Sequence, residues 1–143
     1  MMNTDSIKRI LKDSRTIAIV GLSPKSHRDS FEVAQYLQTH GYRIIPVNPN
    51  AGVAEILGEK VYATLSQAAA EQSVDIVDCF RNSADIPPIV DEAIAIGAKV
   101  VWMQLKVAHA AAAAQAEAAG LVVVQDRCIK IDHMALQQGL ALS

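Results

Sequence analysis

The 143-residue sequence has few aromatic side chains, no excess of either charge and only two cysteines. Phe, Trp and Tyr make up 4% of the chain, too few for the stacking platforms that bind single-stranded nucleic acids. Its 13 basic and 15 acidic residues give a net charge of −2, so the chain lacks the basic face that general nucleic-acid binding requires. Cys79 and Cys128 form neither a disulfide framework nor a CxxC metal pair, which predicts two reduced thiols.

Long apolar runs and targeting patterns are also missing. No run approaches the roughly 20 residues that span a bilayer. The first residues mix charges in a short amphipathic pattern and lack the apolar core of a secretory signal. We therefore expect a cytoplasmic protein with no membrane partner. Because 51% of the residues are hydrophobic and the length suits one domain, we expect residues 1–143 to form a single domain.

What is present is an alternation of short apolar runs with helical segments. Uninterrupted apolar runs are typical of strands buried on both faces, and helices between them produce a parallel sheet with right-handed crossovers. The sequence therefore predicts a three-layer, doubly wound α/β domain with a mainly parallel five-stranded sheet. The predicted strands are Thr16–Val20, Arg43–Val47, Asp75–Phe80, Lys99–Met103 and Leu121–Gln125.

Helices are predicted between these strands from their apolar spacing and from glycines that end them. The predicted segments are Phe31–His40, a short helix from Ser66, Ser83–Ile96, Val107–Ala119 and a final helix from Ile129. Pro87 and Pro88 fit only within the first turn of their helix, where backbone donors have no partner.

The loop after the first strand is the strongest candidate for a binding site. Ligands of open α/β sheets bind outside the carboxyl ends of the strands, and a helix N-terminus there favours an anion. The loop reads G-L-S-P-K-S-H-R-D-S and opens directly into a helix. We expect a phosphate to bind here, because the hydroxyls of Ser23, Ser26 and Ser30 can donate hydrogen bonds to it and the cations Lys25 and Arg28 can pair with its charge.

The common nucleotide fingerprints fail in this loop. A nicotinamide dinucleotide site needs G-x-G-x-x-G and an acidic residue after the second strand. Here the loop begins Gly21-Leu22-Ser23, and the second strand ends in Val47-Asn48-Pro49. The P-loop ending G-K-[ST] and the nucleophile elbow G-x-S-x-G are missing too. No H-E-x-x-H motif or Cys/His cluster predicts a metal site.

Taken together, five segments resemble the small single-domain CoA-binding proteins, which are similar to the CoA-binding domain of the succinyl-CoA synthetase α subunit. The segments are the loop above, Val47-Asn48-Pro49, V-D-I-V-D-C-F-R, A-I-A-I-G-A-K-V-V-W-M-Q-L and V-V-Q-D-R-C-I-K-I. The resemblance runs from about Thr16 to Ile131 and implies a Rossmann-like fold that binds coenzyme A. It implies that the phosphates lie near Gly21, Ser23, Lys25, Arg28 and Ser30. It also implies Asn48 and Pro49 along the adenosine, Phe80 and Arg81 in the neighbouring loop, and Gln104 at the same edge.

The chain departs from this resemblance at Asp29, where proline is frequent, and at Lys106, where glycine commonly follows leucine. Because no activated nucleophile or acid/base pair is visible, we expect a non-catalytic module that binds CoA or an acyl-CoA. A CoA- or nucleotide-dependent enzyme and an NAD(P)-binding regulatory module remain alternatives. Sheet edges and an alanine-rich helix also suit a homodimer, and a separate protein partner is left open.

Overall fold

A computed structural model describes residues 3–142 of the chain. Its central sheet has five parallel strands. These strands are β1 (Thr16–Val20), β2 (Arg43–Val47), β5 (Ile76–Cys79), β6 (Val100–Met103) and β7 (Val122–Val124). They lie side by side in the order β2-β1-β5-β6-β7. A small antiparallel pair, β3 (Glu55–Ile56) and β4 (Glu59–Lys60), lies outside this sheet. The predicted doubly wound, Rossmann-like α/β fold is confirmed.

Helices cover both faces of the sheet. They are α1 (Thr4–Asp13), α2 (Asp29–Thr39), α3 (Leu65–Ala69), α4 (Ile86–Ala95), α5 (Ala110–Ala118) and α6 (Ile129–Gln137), with a 3₁₀ turn at Ser83–Asp85 before α4. Within residues 3–142, no helix is long and apolar enough to cross a membrane.

Successive side chains of each strand of the central sheet pack alternately into two separate hydrophobic cores. Ile17, Ile19 and Ile76 face the core formed with α1, α2 and α6. Ala18 and Val77 face the core formed with α3, α4 and α5. This division follows from the pleat, which points successive side chains to opposite faces of the sheet.

Local capping explains why the helices begin where they do. The Asn3 side chain accepts a hydrogen bond from the Ser6 amide at the start of α1, and Thr64 does the same for Gln67 at the start of α3. Pro87 and Pro88 lie in the first turn of α4, as predicted. The predicted helix from Val107 begins only at Ala110, because the His109 ring caps it.

Candidate functional site

The loop between β1 and α2 lies against the loop after β5 at the carboxyl edge of the sheet. Gly21 stands at the contact with φ +90°, and a Cβ atom there would lie 2.3 Å from the Phe80 carbonyl oxygen. Its amide donates to the Val47 carbonyl at 2.8 Å. Gly21 is therefore needed both for its backbone conformation and for this close approach.

Two of the predicted phosphate ligands, Ser23 and Ser30, also stabilise the conformation of the loop between β1 and α2. The Ser30 hydroxyl accepts a hydrogen bond from the Ser23 amide at 3.0 Å, and the Ser23 hydroxyl accepts one from the Lys25 amide at 3.1 Å. Ser30 is buried, while Ser23 is half-buried. Both hydroxyls keep a proton to donate, but their bonds to the backbone also fix the shape of the loop.

The two cations of the loop are exposed beside the N-terminus of α2. Arg28 is the residue that precedes α2, and its side chain makes no capping bond. Neither Lys25 nor Arg28 forms a salt bridge within residues 3–142. The first amides of a helix have no partner within it, so cations and free donors meet at this point.

Asn48 joins the loop after β2 to the loop after β1. Its side-chain amide donates to the Leu22 carbonyl at 2.9 Å, and its side-chain oxygen accepts from the Asn50 amide at 2.9 Å. Pro49 is exposed in the turn that follows. Asn48 therefore shapes the predicted adenosine side, and Pro49 offers that side an exposed surface.

A cavity of about 610 Å³ opens beside residues 21–30, the predicted phosphate loop. It extends from the first turn of α2 past the loops after β5 and β6 to α6. Of the predicted site residues, Phe80, Arg81 and Gln104 line it, together with Asp29. The other lining residues are Glu32, Val33, Asn82, Leu105, Val107, Cys128, Lys130, Ile131 and Met134.

Arg81 has an acidic partner at the cavity. Its guanidinium lies 3.6 Å from the Asp85 carboxylate, with both side chains well exposed. Pairing with Asp85 and contact with a ligand are both open to it, because an exposed ion pair is worth little and yields easily. Asp78, three positions before Arg81, does not pair with it, since the Asp78 carboxyl is fully buried and neither of its oxygens is hydrogen-bonded within the described residues.

Gln104 is almost fully buried yet lines the cavity. Its side-chain oxygen accepts a hydrogen bond from the Ile129 amide at the start of α6 at 3.2 Å. This bond fixes the side chain between β6 and α6. The NH₂ group has no hydrogen-bond partner within residues 3–142, so it can donate to a bound molecule.

The two cysteines have different environments. Cys79 is fully buried, and burial raises the pKa of its thiol. Cys128 is half-buried and lines the cavity. Within the described residues, no group of three or more His, Cys, Asp or Glu side chains could hold a metal ion.

A protein-family model described as a CoA binding domain matches residues 15–134. The chain belongs to this CoA-binding domain family. The resemblance inferred from the motifs is thereby confirmed, and the family together with the Rossmann-like fold supports a module that binds CoA or a related nucleotide.

Relatives of this CoA-binding domain match nearly its whole length. The Bacillus subtilis protein YneT is 38% identical over 127 residues, which are 89% of this chain and 91% of YneT. A hypothetical protein from Pyrococcus horikoshii superposes with a TM-score of 0.89 at 37% identity, covering 95% of this chain and 93% of that one. The structure of cell-free ID.343 from Thermus thermophilus gives a TM-score of 0.88 at 32% identity, covering 94% and 99%.

The apolar side chains that α6 contributes to the cavity of this CoA-binding domain were not predicted from the sequence. Ile131 and Met134 are three positions apart on α6 and therefore share a face. That spacing is the signal that could have identified them. The sequence does not show that α6 packs beside the loop after β6, so it does not distinguish Ile131 and Met134 from other apolar residues of a helix.

Proposed function

We propose that this protein binds coenzyme A, or an acyl derivative of it, as a binding or regulatory module with no catalytic step of its own. The observation that carries the proposal is the pair of exposed cations, Lys25 and Arg28, at the N-terminus of α2. With no acidic partner among the described residues, they are free to bind an anion. The helix amides beside them favour the same charge.

The strand order gives the ligand a direction along the edge of the sheet. β1 lies between β2 and β5. Phosphates at the loop after β1 would leave the adenosine against Asn48 and Pro49 after β2. The pantetheine arm would then run the other way, past Phe80 and Arg81 towards Gln104 after β6. The proposed ligand residues thus occupy successive positions along one edge.

Thermal unfolding with CoA, NAD, NADP and ATP in parallel tests the choice of ligand. A ligand at 100 times its Kd adds about 2.7 kcal/mol to the free energy of unfolding. We expect CoA to raise the Tm most. A shift with NAD or NADP and none with CoA would contradict the proposal and favour an NAD(P)-binding regulatory module.

The role of Arg28 is tested with a matched arginine elsewhere. Arg28→Ala should weaken CoA binding by about 1.5–3 kcal/mol, or roughly 10- to 150-fold, because it removes a charge-assisted bond to phosphate. Arg9, exposed on α1, serves as the control, since α1 leads into the opposite end of β1. Equal affinities of Arg28→Ala and Arg9→Ala by titration calorimetry would reject Arg28 as a phosphate ligand.

The absence of a catalytic step has its own test. The protein is incubated with acyl-CoAs, and free thiol is followed over time. We expect no release above the rate without protein, because no activated nucleophile is apparent in the sequence. Steady release would instead favour a CoA-dependent enzyme.

A further inference from the structure

Three of the six large apolar side chains that are exposed among the described residues line one cavity. Leu105 is 53% exposed, Ile131 is 55% exposed and Met134 is 40% exposed. All three line the cavity beside the phosphate loop. We call these three residues the apolar wall. Single exposed apolar residues are normal, but a cluster of them at a cavity indicates a binding surface.

The apolar wall is continuous with the proposed CoA site. The cavity begins at Asp29 and Glu32 in the first turn of α2, next to the phosphate loop. Its inner surface includes the buried side chains of Val33 and Val107. A ligand bound by its phosphates at the loop therefore has an open path to the apolar wall.

Gln104 provides a polar group on this path. The side chain is 5% exposed and lines the cavity, and its free NH₂ group can donate a hydrogen bond. A carbonyl oxygen is the acceptor that such an amide would bind. The amides of a pantetheine arm have such a carbonyl oxygen, and so does a thioester. The cavity thus combines a carbonyl-binding donor with an apolar end.

The charges around the cavity favour an uncharged chain at the apolar wall. Asp29 and Glu32 would repel a terminal carboxylate. The Arg81 guanidinium is paired with Asp85, and the Lys130 ammonium lies over the Tyr36 ring, 5.7 Å from its centre. The three side chains of the apolar wall carry no charge, so they offer no partner to a terminal carboxylate.

We infer that the ligand is an acyl-CoA with an uncharged aliphatic chain, and that the apolar wall holds this chain. The inference rests on the proposed CoA site and adds the ligand class to it. The cavity volume of about 610 Å³ lies in the range of small-molecule pockets.

Titration calorimetry with CoA, acetyl-CoA, butyryl-CoA, hexanoyl-CoA and succinyl-CoA tests the inference. The Kd should fall from acetyl to hexanoyl by up to about fourfold for each buried methylene, equivalent to about 0.8 kcal/mol. Succinyl-CoA should bind more weakly than butyryl-CoA, which has the same chain length. If CoA binds but chain length has no effect, the inference fails and the proposed function stands. If neither CoA nor any acyl-CoA binds, the proposed function fails.

Variants locate the chain at the apolar wall. Ile131→Ser should lower the ratio of the acetyl-CoA Kd to the hexanoyl-CoA Kd at least threefold. Leu105→Ser, in the loop after β6, should lower the same ratio by a similar factor. Both residues are more than half exposed, so the fold should tolerate serine. Leu140→Ser is the control, because Leu140 is 54% exposed but lies outside the cavity.

A second copy of the chain is the other occupant that the experiment can detect. Sedimentation of the free protein and of Ile131→Ser reports self-association through the apolar wall. A dimer that dissociates in Ile131→Ser, together with a Kd independent of chain length, would overturn the inference. A monomer in both proteins, with the chain-length dependence lost in the variant, would support it.

Discussion

At the scale of single residues, Gly21 has the strictest requirement in the site. A Cβ atom at Gly21 would clash with the carbonyl oxygen of Phe80, which belongs to the backbone and cannot move aside as a flexible side chain could. Any side chain at this position would push the loops after β1 and β5 apart. Since the proposed phosphate site depends on these loops, the same change should reduce stability and ligand binding together.

Gly21→Ala should therefore destabilise the protein more than an alanine at another glycine of similar conformation. Gly41 has φ +94° and no atom within 4 Å of a Cβ, so Gly41→Ala measures the backbone strain alone. We expect about 1–2 kcal/mol for Gly41→Ala and several kcal/mol for Gly21→Ala. Urea unfolding measures both, and equal losses would show that the approach to Phe80 carries no penalty.

Asp78 is the residue least suited to its surroundings. It lies in β5 opposite Ile19 and Trp102, and it is fully buried. Burial raises the pKa of its carboxyl well above the ordinary value. The folded state therefore binds this proton more tightly than the unfolded chain does. Its contribution to stability is complete at low pH and is lost as the pH rises towards the folded-state pKa.

Asp78→Asn should raise the free energy of unfolding at pH 7, because asparagine has nearly the shape of aspartic acid but cannot ionise. The gain should shrink towards pH 4, by up to about 1.4 kcal/mol for each pH unit within the titration window. Urea unfolding across this range measures it. A variant less stable than the parent at pH 7 would show that the charged carboxylate is stabilised in the fold.

Asp75, three positions earlier, is the control of opposite sign. Burial raises the pKa of its carboxyl, but hydrogen bonds from the Arg15 and Thr16 amides, with the nearby Lys99, outweigh burial and the net shift is downward. Asp75→Asn should therefore destabilise the protein at pH 7. The two substitutions together separate a local electrostatic effect from a general effect of removing a negative charge.

At the scale of elements, α2 and α6 meet through aromatic side chains. The Tyr36 hydroxyl lies 2.7 Å from Nδ1 of His133, and the His40 and Tyr42 rings are within 6 Å of the His133 ring. Burial, together with the charge of His40, lowers the pKa of His133. The neutral ring is therefore the form that holds these two helices together.

Stability should fall as the solution is acidified from about pH 6.5, because the unfolded chain takes up the His133 proton more readily than the folded protein does. His133→Asn keeps an acceptor for Tyr36 and removes the titration, so its stability should change less between pH 7 and pH 5. His27→Asn, exposed in the loop before α2, is the control. Identical pH profiles for the parent and His133→Asn would contradict this role.

The elements themselves could largely be predicted from the sequence. β1 and β2 match their predicted bounds because unbroken apolar runs end there at a glycine and at an Asn-Pro turn. The predicted helix at Ser83–Ile96 divides into a 3₁₀ turn and α4, with the prolines in the first turn of α4. The starts of α3 and α5 depend on the caps Thr64 and His109. The spacing of apolar residues does not reveal the hydrogen bonds that these caps make.

The candidate site was only partly predictable, for reasons of tertiary packing. The phosphate loop is one continuous segment, so its glycine, hydroxyls and cations are visible together. The apolar wall joins Leu105 to Ile131 and Met134, which are brought together only when α6 packs beside the loop after β6. Likewise, the free amide of Gln104 depends on the bond between its oxygen and Ile129.

At the scale of the whole molecule, the two hydrophobic cores share one sheet. Trp102 is fully buried in the core with α2 and α6, while Val101 beside it faces the opposite core. Neither core can lose its packing without exposing the strands that support the other. This arrangement is the physical basis for expecting a single domain.

Unfolding should therefore be one cooperative transition. Trp102 is the only tryptophan, so its fluorescence reports one core, while far-ultraviolet circular dichroism reports helices on both faces. The two signals should change at the same urea concentration. A fluorescence transition that precedes the loss of helical signal would show that the layers unfold separately.

The β2 edge of the sheet is already occupied at its carboxyl end. Tyr62 donates its amide to the Pro46 carbonyl and accepts from the Asn48 amide, and Pro46 has no N–H of its own to offer. At the opposite edge, β7 has only three residues. Short or covered edges are how native sheets avoid pairing with other chains. We therefore expect concentrated solutions of this protein to resist strand-to-strand aggregation, and we expect any dimer to form through side chains.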